Sequence, residues 1–199
     1  MRVYVDCDDV VAETARHLID LRRRGGGWAP EFGQMFDFDL HRSLRLGDEE
    51  YRVFMEKAHE PEELAALEEV PGACETLRAW RADGIEPFIV TGRPACAHAA
   101  TLEWLDKRGL AGIPLLMVDK YNRRLGAETA GVEVVPFAAL SSFGFDLAVD
   151  DAPQALDLLA ASGFCPFVVF DRPWNRTYNP DVPRVPDWRG LDAYVRGRG

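Results

Sequence analysis

Two rhythms of apolar and polar positions alternate along the chain. Short runs of β-branched and aromatic residues, each closing on a polar group, are separated by longer stretches with helical spacing. Arg2–Asp6 is the first such run and reads as a buried central strand. Val11–Arg24 carries a helical pattern that Gly25-Gly26-Gly27 stops. From Trp28 to Val70 the strand rhythm disappears. This stretch is rich in aromatics (Trp28, Phe32, Phe36, Phe38, Tyr51, Phe54), and helices are expected over Asp48–His59 and Pro61–Glu69. The alternation resumes at Pro71-Gly72. A helix with Ala73, Leu77 and Trp80 on one face leads to a strand at Pro87–Val90. A helix from about Ala95 to Arg108, with Leu102 and Leu105 inward, precedes a strand at Leu115–Val118. Val132–Phe137 is β-rich, and Phe145–Val149 and Pro166–Phe170 read as strands flanking a helix at Ala152–Ala161. Pro153 suits the first turn of that helix. The proline-rich tail is expected to wrap the surface before a short helix near Leu191–Val195.

Strands that alternate with helices imply an α/β fold with a doubly wound parallel sheet of Rossmann type. The expected organisation is a core of residues 1–14 and 71–199, with residues 15–70 forming a small helical cap inserted after the first strand and helix.

At 199 residues, 47% hydrophobic and 28% charged, the chain can bury a sizeable core as an ordinary soluble domain. The net charge of −10 argues against binding to extended nucleic acid, which needs clustered Lys and Arg. It leaves room for a small phosphorylated ligand. No apolar run approaches a membrane span, and the first residues enter a strand at once, so no signal peptide is expected. Four scattered cysteines without a C-x-x-C pair read as reduced thiols. A cytoplasmic monomer or homodimer is the expectation.

The chemistry lies at the strand ends. Asp6-Cys7-Asp8-Asp9 follows Val3-Tyr4-Val5, Asp150-Asp151 follows Leu147-Ala148-Val149, and Thr91-Gly92-Arg93 follows Phe88-Ile89-Val90. Ligands of parallel α/β sheets bind outside the carboxyl ends of the strands, so these three tips converge on one crevice. Clustered carboxylates repel unless protons or a cation neutralise them, and Mg²⁺, which takes oxygen ligands, is the simplest neutraliser. Asp6 on a metal stays ionised and is a candidate nucleophile. Asp8, off the metal, is a candidate general acid and base. Thr91, the Gly92 N–H and Arg93 suit phosphate oxygens. Each pattern also has a plain structural reading. One carboxylate of Asp6 and Asp8, Thr91, and Asp151 are each natural N-caps of the following helix. Asp150 has no such reading and needs a partner. Cys7 reads as buried filler, and His17 and His41 carry no ligand spacing.

Taken together, D-x-D-x-V at Asp6, the strand-terminal Thr91 and the Asp150-Asp151 pair resemble the haloacid dehalogenase-like hydrolase superfamily, with a type-1 cap after the first motif. Thr91-Gly92-Arg93-Pro94 and Phe170-Asp171-Arg172-Pro173-Trp174-Asn175 resemble its 5′(3′)-deoxyribonucleotidase group. The resemblance implies a Mg²⁺-dependent phosphomonoesterase acting on nucleoside monophosphates or similar small esters. It implies an aspartyl-phosphate on Asp6, acid–base chemistry by Asp8, and phosphate binding by Thr91 and Gly92. It implies Mg²⁺ held by Asp6, the Asp8 carbonyl and Asp150, with Asp151 orienting a metal-bound water. Two positions depart from the pattern. Asp9 stands where the family commonly has glycine. The family lysine before the acidic pair is missing, since no Lys or Arg lies between Leu125 and Val149. Lys120 is the nearest substitute if Asp119–Gly144 is an insertion, and a solvated loop lysine otherwise. Without such a cation, the chain is a weak or inactive relative that still binds a phosphorylated ligand. Phe36, Phe38 and Trp28 either stack on a base or form the core of the cap.

Overall fold

A computed structural model describes residues 1–120, 131–179 and 181–198. Seven strands form one sheet in the order β4-β3-β2-β1-β5-β6-β7, and every pairing is parallel. They are β1 (Arg2–Asp6), β2 (Glu86–Thr91), β3 (Leu115–Asp119), β4 (Val134–Pro136), β5 (Leu147–Asp150), β6 (Phe167–Phe170) and β7 (Arg184–Val185). The helices α1 (Thr14–Arg24), α2 (Leu40–Ser43), α3 (Asp48–Ala58), α4 (Pro61–Ala65), α5 (Ala73–Ala82), α6 (His98–Lys107), α7 (Pro153–Ser162) and α8 (Trp188–Arg196) lie between them.

Alternation along β1 explains why both faces are covered. Val3 and Val5 point into a cluster with Leu77 and Trp80 of α5, Trp104 and Leu105 of α6, and Trp188 and Leu191 of α8. Tyr4 points the other way, against Leu156 and Leu159 of α7 and against Phe137 and Leu140. Each fully buried aliphatic side chain here contributes roughly 1.5–3 kcal/mol.

β1 lies between β2 and β5, with Asp6 in register with Val90 and Val5 with Val149. The acidic ends of β1 and β5 and the Thr91 end of β2 therefore sit side by side. Between α1 and α5 there is no sheet strand. A 3₁₀ turn at Phe32–Gln34 and helices α2, α3 and α4 occupy the stretch instead. Leu18, Ile19 and Leu21 of α1 pack with Met35, Leu44, Leu46 and Ala58 in a cluster of their own. This helical segment joins the sheet through two neighbouring passages, where Glu13 N–H donates to Glu68 O (2.9 Å) and Val70 N–H to Val11 O (2.8 Å).

Several elements differ from the sequence expectation. The first helix begins at Thr14 rather than Val11, because Val10 to Ala12 are buried in a turn that bridges Asp8 to Ala12. Leu102 is 41% exposed, and the inward face of α6 is Thr101, Trp104 and Leu105. Thr101 fixes that rotation by donating to Ala97 O (2.8 Å) and accepting from Arg93 Nη1 (3.0 Å). The β-rich run at Val132–Phe137 contributes three strand residues before a 3₁₀ turn at Phe137–Phe143. The tail does not merely wrap the surface, since Arg184–Val185 pairs with β6 at the sheet edge. Part of the uncertain stretch Asp119–Gly144, residues 121 to 130, lies outside the described residues. Among the described residues no helix is long and apolar enough to cross a membrane. The cysteines are free, with Cys7, Cys74 and Cys165 buried and Cys96 exposed.

Candidate active site

β1 ends at Asp6 and turns sharply through Asp8 and Asp9. Asp9 adopts φ 59°, the left-handed region that Asp tolerates better than most residues, and so fills the position where glycine is the common choice. Its carboxylate accepts the Ala15 N–H (2.9 Å), tying the turn to the start of α1. Burial pushes the Asp9 carboxyl up to about 8, against the lowering pull of the Ala15 bond and of Arg172.

Asp6, Asp150 and Asp151 are buried, and each offers a carboxylate oxygen within 4.8 Å of the others. Lys120 follows β3 directly and reaches the same point. Its Nζ donates to Asp6 Oδ1 at 2.5 Å and to Asp150 Oδ2 at 2.8 Å, and the residue is only 3% exposed. No insertion is needed to bring it there, because β3 lies on the far side of β2 from β1 and its end faces the same crevice. Tyr4 Oη donates to Asp150 Oδ2 (2.7 Å), and Ala152 N–H donates to Asp150 Oδ1 (3.0 Å). Trp174 Nε1 donates to Asp151 Oδ2 (2.8 Å). Asp151 is thus not the N-cap of α7. Ala152 holds that position, and Pro153 opens the helix.

Burial raises the Asp6 carboxyl well above the ordinary range, with Asp150 adding to the rise and Lys120 opposing it. Burial followed by Asp9 and Asp150 raises Asp151 in the same way. With all three ionised, the single Lys120 ammonium would leave two of the carboxylate charges unmatched, a repulsion that adds to the burial-driven rise of Asp6 and Asp151 and that a cation would relieve. All the offered donors are hard oxygens. The set suits a divalent cation such as Mg²⁺.

Asp8 stands apart from that trio. Its carboxylate receives Arg93 Nη2 (2.7 Å) and Nε (3.0 Å), Thr14 Oγ1 (2.6 Å) and Thr91 Oγ1 (3.0 Å). Burial alone would raise its pKa, but the Arg93 guanidinium and these hydrogen bonds hold it down at about 2. In this arrangement Asp8 is an ionised acceptor held by Arg93, Thr14 and Thr91. Thr91 is likewise no helix cap, since it bridges Asp8 and the Arg93 N–H (3.1 Å). Arg93, expected on a phosphate, is itself buried and committed to Asp8 and Thr101.

A cavity of about 290 Å³ opens between these residues and the helical segment. Asp6, Asp8, Gly92, Arg93 and Asp151 line one end, and Leu18, Met35, Leu40 and Met55 line the other. Among the expected base-stacking aromatics only Phe38 lines it. Phe36 and Trp28 are 66% and 49% exposed, and Trp28 carries the Arg45 guanidinium on its ring instead. Trp174 closes the side of the cavity, with Phe32 edge-on at 5.8 Å and Phe38 at 6.3 Å. His17 lines the cavity while hydrogen-bonded to Glu63 (2.8 Å), and His41 stacks on Tyr51.

The fold is similar to that of several solved structures. A predicted phosphatase from Clostridium acetobutylicum superposes with a TM-score of 0.64 at 10% identity, over 98% of each chain. The chain shares the fold of haloacid dehalogenase-like hydrolases. One such hydrolase from Streptococcus pneumoniae matches at TM-score 0.64 and 10% identity, over 98% of this chain and 97% of that one. A predicted phosphoglycolate phosphatase from Haemophilus somnus matches at 0.60 and 15%, over 99% and 97%. No family model and no curated protein matches the sequence.

Sequence reasoning missed four contributors. Tyr4 was read only as part of the strand Val3-Tyr4-Val5, although alternation puts it on the same face as Asp6. Thr14 gave no signal. Trp174 and Asn175 stood in a quoted motif without a role. Asn175 Nδ2 holds the Asp151 and Phe170 carbonyls (2.8 and 2.9 Å), which fixes the loop that carries Trp174.

Proposed function

We propose that the chain is a Mg²⁺-dependent phosphomonoesterase acting through an aspartyl-phosphate on Asp6, on nucleoside monophosphates or similar small phosphate esters. One observation carries this reading. Asp6, Asp150 and Asp151 converge beside the Lys120 ammonium, and Asp6, Asp151 and Gly92 line a common cavity. The donor set fits Mg²⁺, held by Asp6 and Asp150 with Asp151 beside them, and with the Asp8 carbonyl as a further ligand. When bound, the ion would neutralise phosphoryl and carboxylate charge.

The residues then divide the work. Asp6 Oδ forms a bond to phosphorus as the ester P–O bond breaks. The leaving alkoxide takes a proton from Asp8. The Asp8 carboxylate next removes a proton from water, whose oxygen attacks the phosphorus and frees phosphate and Asp6. Thr91 and the Gly92 N–H hold phosphoryl oxygens, and Lys120 offsets their charge next to Asp6. Positioning and charge neutralisation of this kind supply most of the rate in phosphoryl transfer. The Asp8–Arg93 pair describes the resting site. An arriving phosphate competes for Arg93, and with that guanidinium drawn away burial acts to raise the Asp8 carboxyl. Residues 15–70 serve as the cap that excludes water over the site. The position of Lys120 weighs against the alternative of an inactive ligand-binding relative, since the cation whose absence motivated that alternative has a candidate in place.

The purified chain is expected to hydrolyse p-nitrophenyl phosphate or a deoxynucleoside monophosphate with Mg²⁺, and Asp6→Asn is expected to abolish turnover. Equal turnover by the variant would overturn the reading.

A further inference from the structure

The cavity beyond the phosphate position has a chemistry of its own. Away from the strand tips its lining combines Leu18, Met35, Leu40, Met55 and Leu64 with the polar rings of His17, Tyr51 and His59, and the His17 imidazole is bonded to Glu63 (2.8 Å). Among the described lining residues Arg93 is the one Lys or Arg, and both its Nε and Nη2 are already spent on Asp8. The acidic side chain on the far side is Asp39. It is occupied as the N-cap of α2, accepting the His41 N–H (2.9 Å), and Arg42 sits 3.7 Å from it on the exposed side. Asp39 is therefore not a free anion waiting for an ammonium group.

We infer that the site, on the functional reading above, takes phosphate monoesters whose alcohol part is uncharged and largely apolar, and rejects esters carrying a second anionic group. A phosphate or carboxylate pushed against this wall would be desolvated with no uncommitted lysine or arginine among the described lining residues to receive it, in a site already rich in carboxylates. A neutral aryl group or nucleoside would instead bury apolar surface on the leucine and methionine side chains. Discrimination comes from the unfavourable half of the comparison, the unpaired charge, more than from any added contact.

The test is a comparison of kcat/KM, at saturating Mg²⁺, for p-nitrophenyl phosphate and thymidine 5′-monophosphate against 2-phosphoglycolate and thymidine 3′,5′-bisphosphate. The uncharged-alcohol esters are expected to be favoured by on the order of 100-fold or more, the scale at which an unpaired buried charge discriminates. Met55→Arg places a cation in the wall and is expected to narrow the gap by at least about tenfold, whereas Met55→Gln, of similar length and uncharged, keeps the wild-type order. Equal kcat/KM for the esters with a second anionic group and p-nitrophenyl phosphate would overturn the inference and leave the phosphatase reading standing. Turnover of none of the four would overturn that reading and the inference with it.

Discussion

The Lys120 ammonium lies 2.5 Å from Asp6 and 2.8 Å from Asp150, bridging the ends of two adjacent central strands from a third. Removing it takes away the ammonium that faces buried Asp6 and Asp150. Lys120→Met is expected to lower kcat/KM by roughly 10²–10³, the usual loss when one electrostatic stabiliser of a transition state is deleted. Mg²⁺ is also expected to raise the melting temperature of this variant more than that of the wild type. Steady-state kinetics and thermal melts with and without Mg²⁺ check both.

Trp174 donates to Asp151 at 2.8 Å while its ring packs against Phe32 and Phe38. Trp174→Phe keeps most of the ring contact and deletes the donor. Outer partners of metal ligands commonly tune affinity by about tenfold or more, so the apparent Mg²⁺ affinity is expected to fall by about tenfold with a small change in stability. A Mg²⁺ titration of activity beside a denaturant melt separates the two effects.

Asp9 combines a left-handed backbone with a hydrogen bond to the Ala15 N–H. Asp9→Gly loses the bond, at about 1 kcal/mol, but adopts the backbone freely. Asp9→Ala loses the bond and also pays about 1–2 kcal/mol for the left-handed conformation. Urea denaturation is expected to rank the alanine variant below the glycine variant.

Glu63 accepts from Arg24 (2.7 Å) and His17 (2.8 Å). Burial works to raise its pKa, yet these hydrogen bonds hold the carboxyl below its ordinary value. A depressed folded pKa means that the pair stabilises the fold above the unfolded value and loses that contribution as pH falls through the folded one. Glu63→Gln is expected to cost about 1 kcal/mol at neutral pH, the scale of a charged hydrogen bond partly screened by water. The difference should shrink in acid. Denaturant titrations at neutral and acidic pH measure it, and a constant difference would remove the ion pair from the account.

Much of this arrangement could be read from the chain alone, for definite reasons. Val3-Tyr4-Val5, Phe88-Ile89-Val90 and Leu147-Ala148-Val149 are apolar runs with sharp polar ends, and parallel pairing brings such ends to one edge. Asp6 and Asp150 meet because β1 and β5 are neighbours. What stayed hidden depended on side-chain choices between distant segments. Nothing local says that Arg93 turns back onto Asp8 rather than outward to a ligand. Lys120 read equally well as a loop lysine, because its reach depends on β3 lying next to β2. Leu102 was assigned the wrong side of α6 because Thr101, a polar residue, faces inward to satisfy Arg93. Trp28 and Phe36 were aromatic in the right segment but on its outer surface.

The account rests on Asp6 as the group that takes the phosphoryl from the ester. Acid quench of the chain during turnover of p-nitrophenyl phosphate with Mg²⁺, followed by peptide mass analysis, reads this directly. A phosphoryl group on the peptide containing Asp6, absent from Asp6→Asn, is the expected result. Turnover that continues with no phosphorylated Asp6 at any quench time would contradict it.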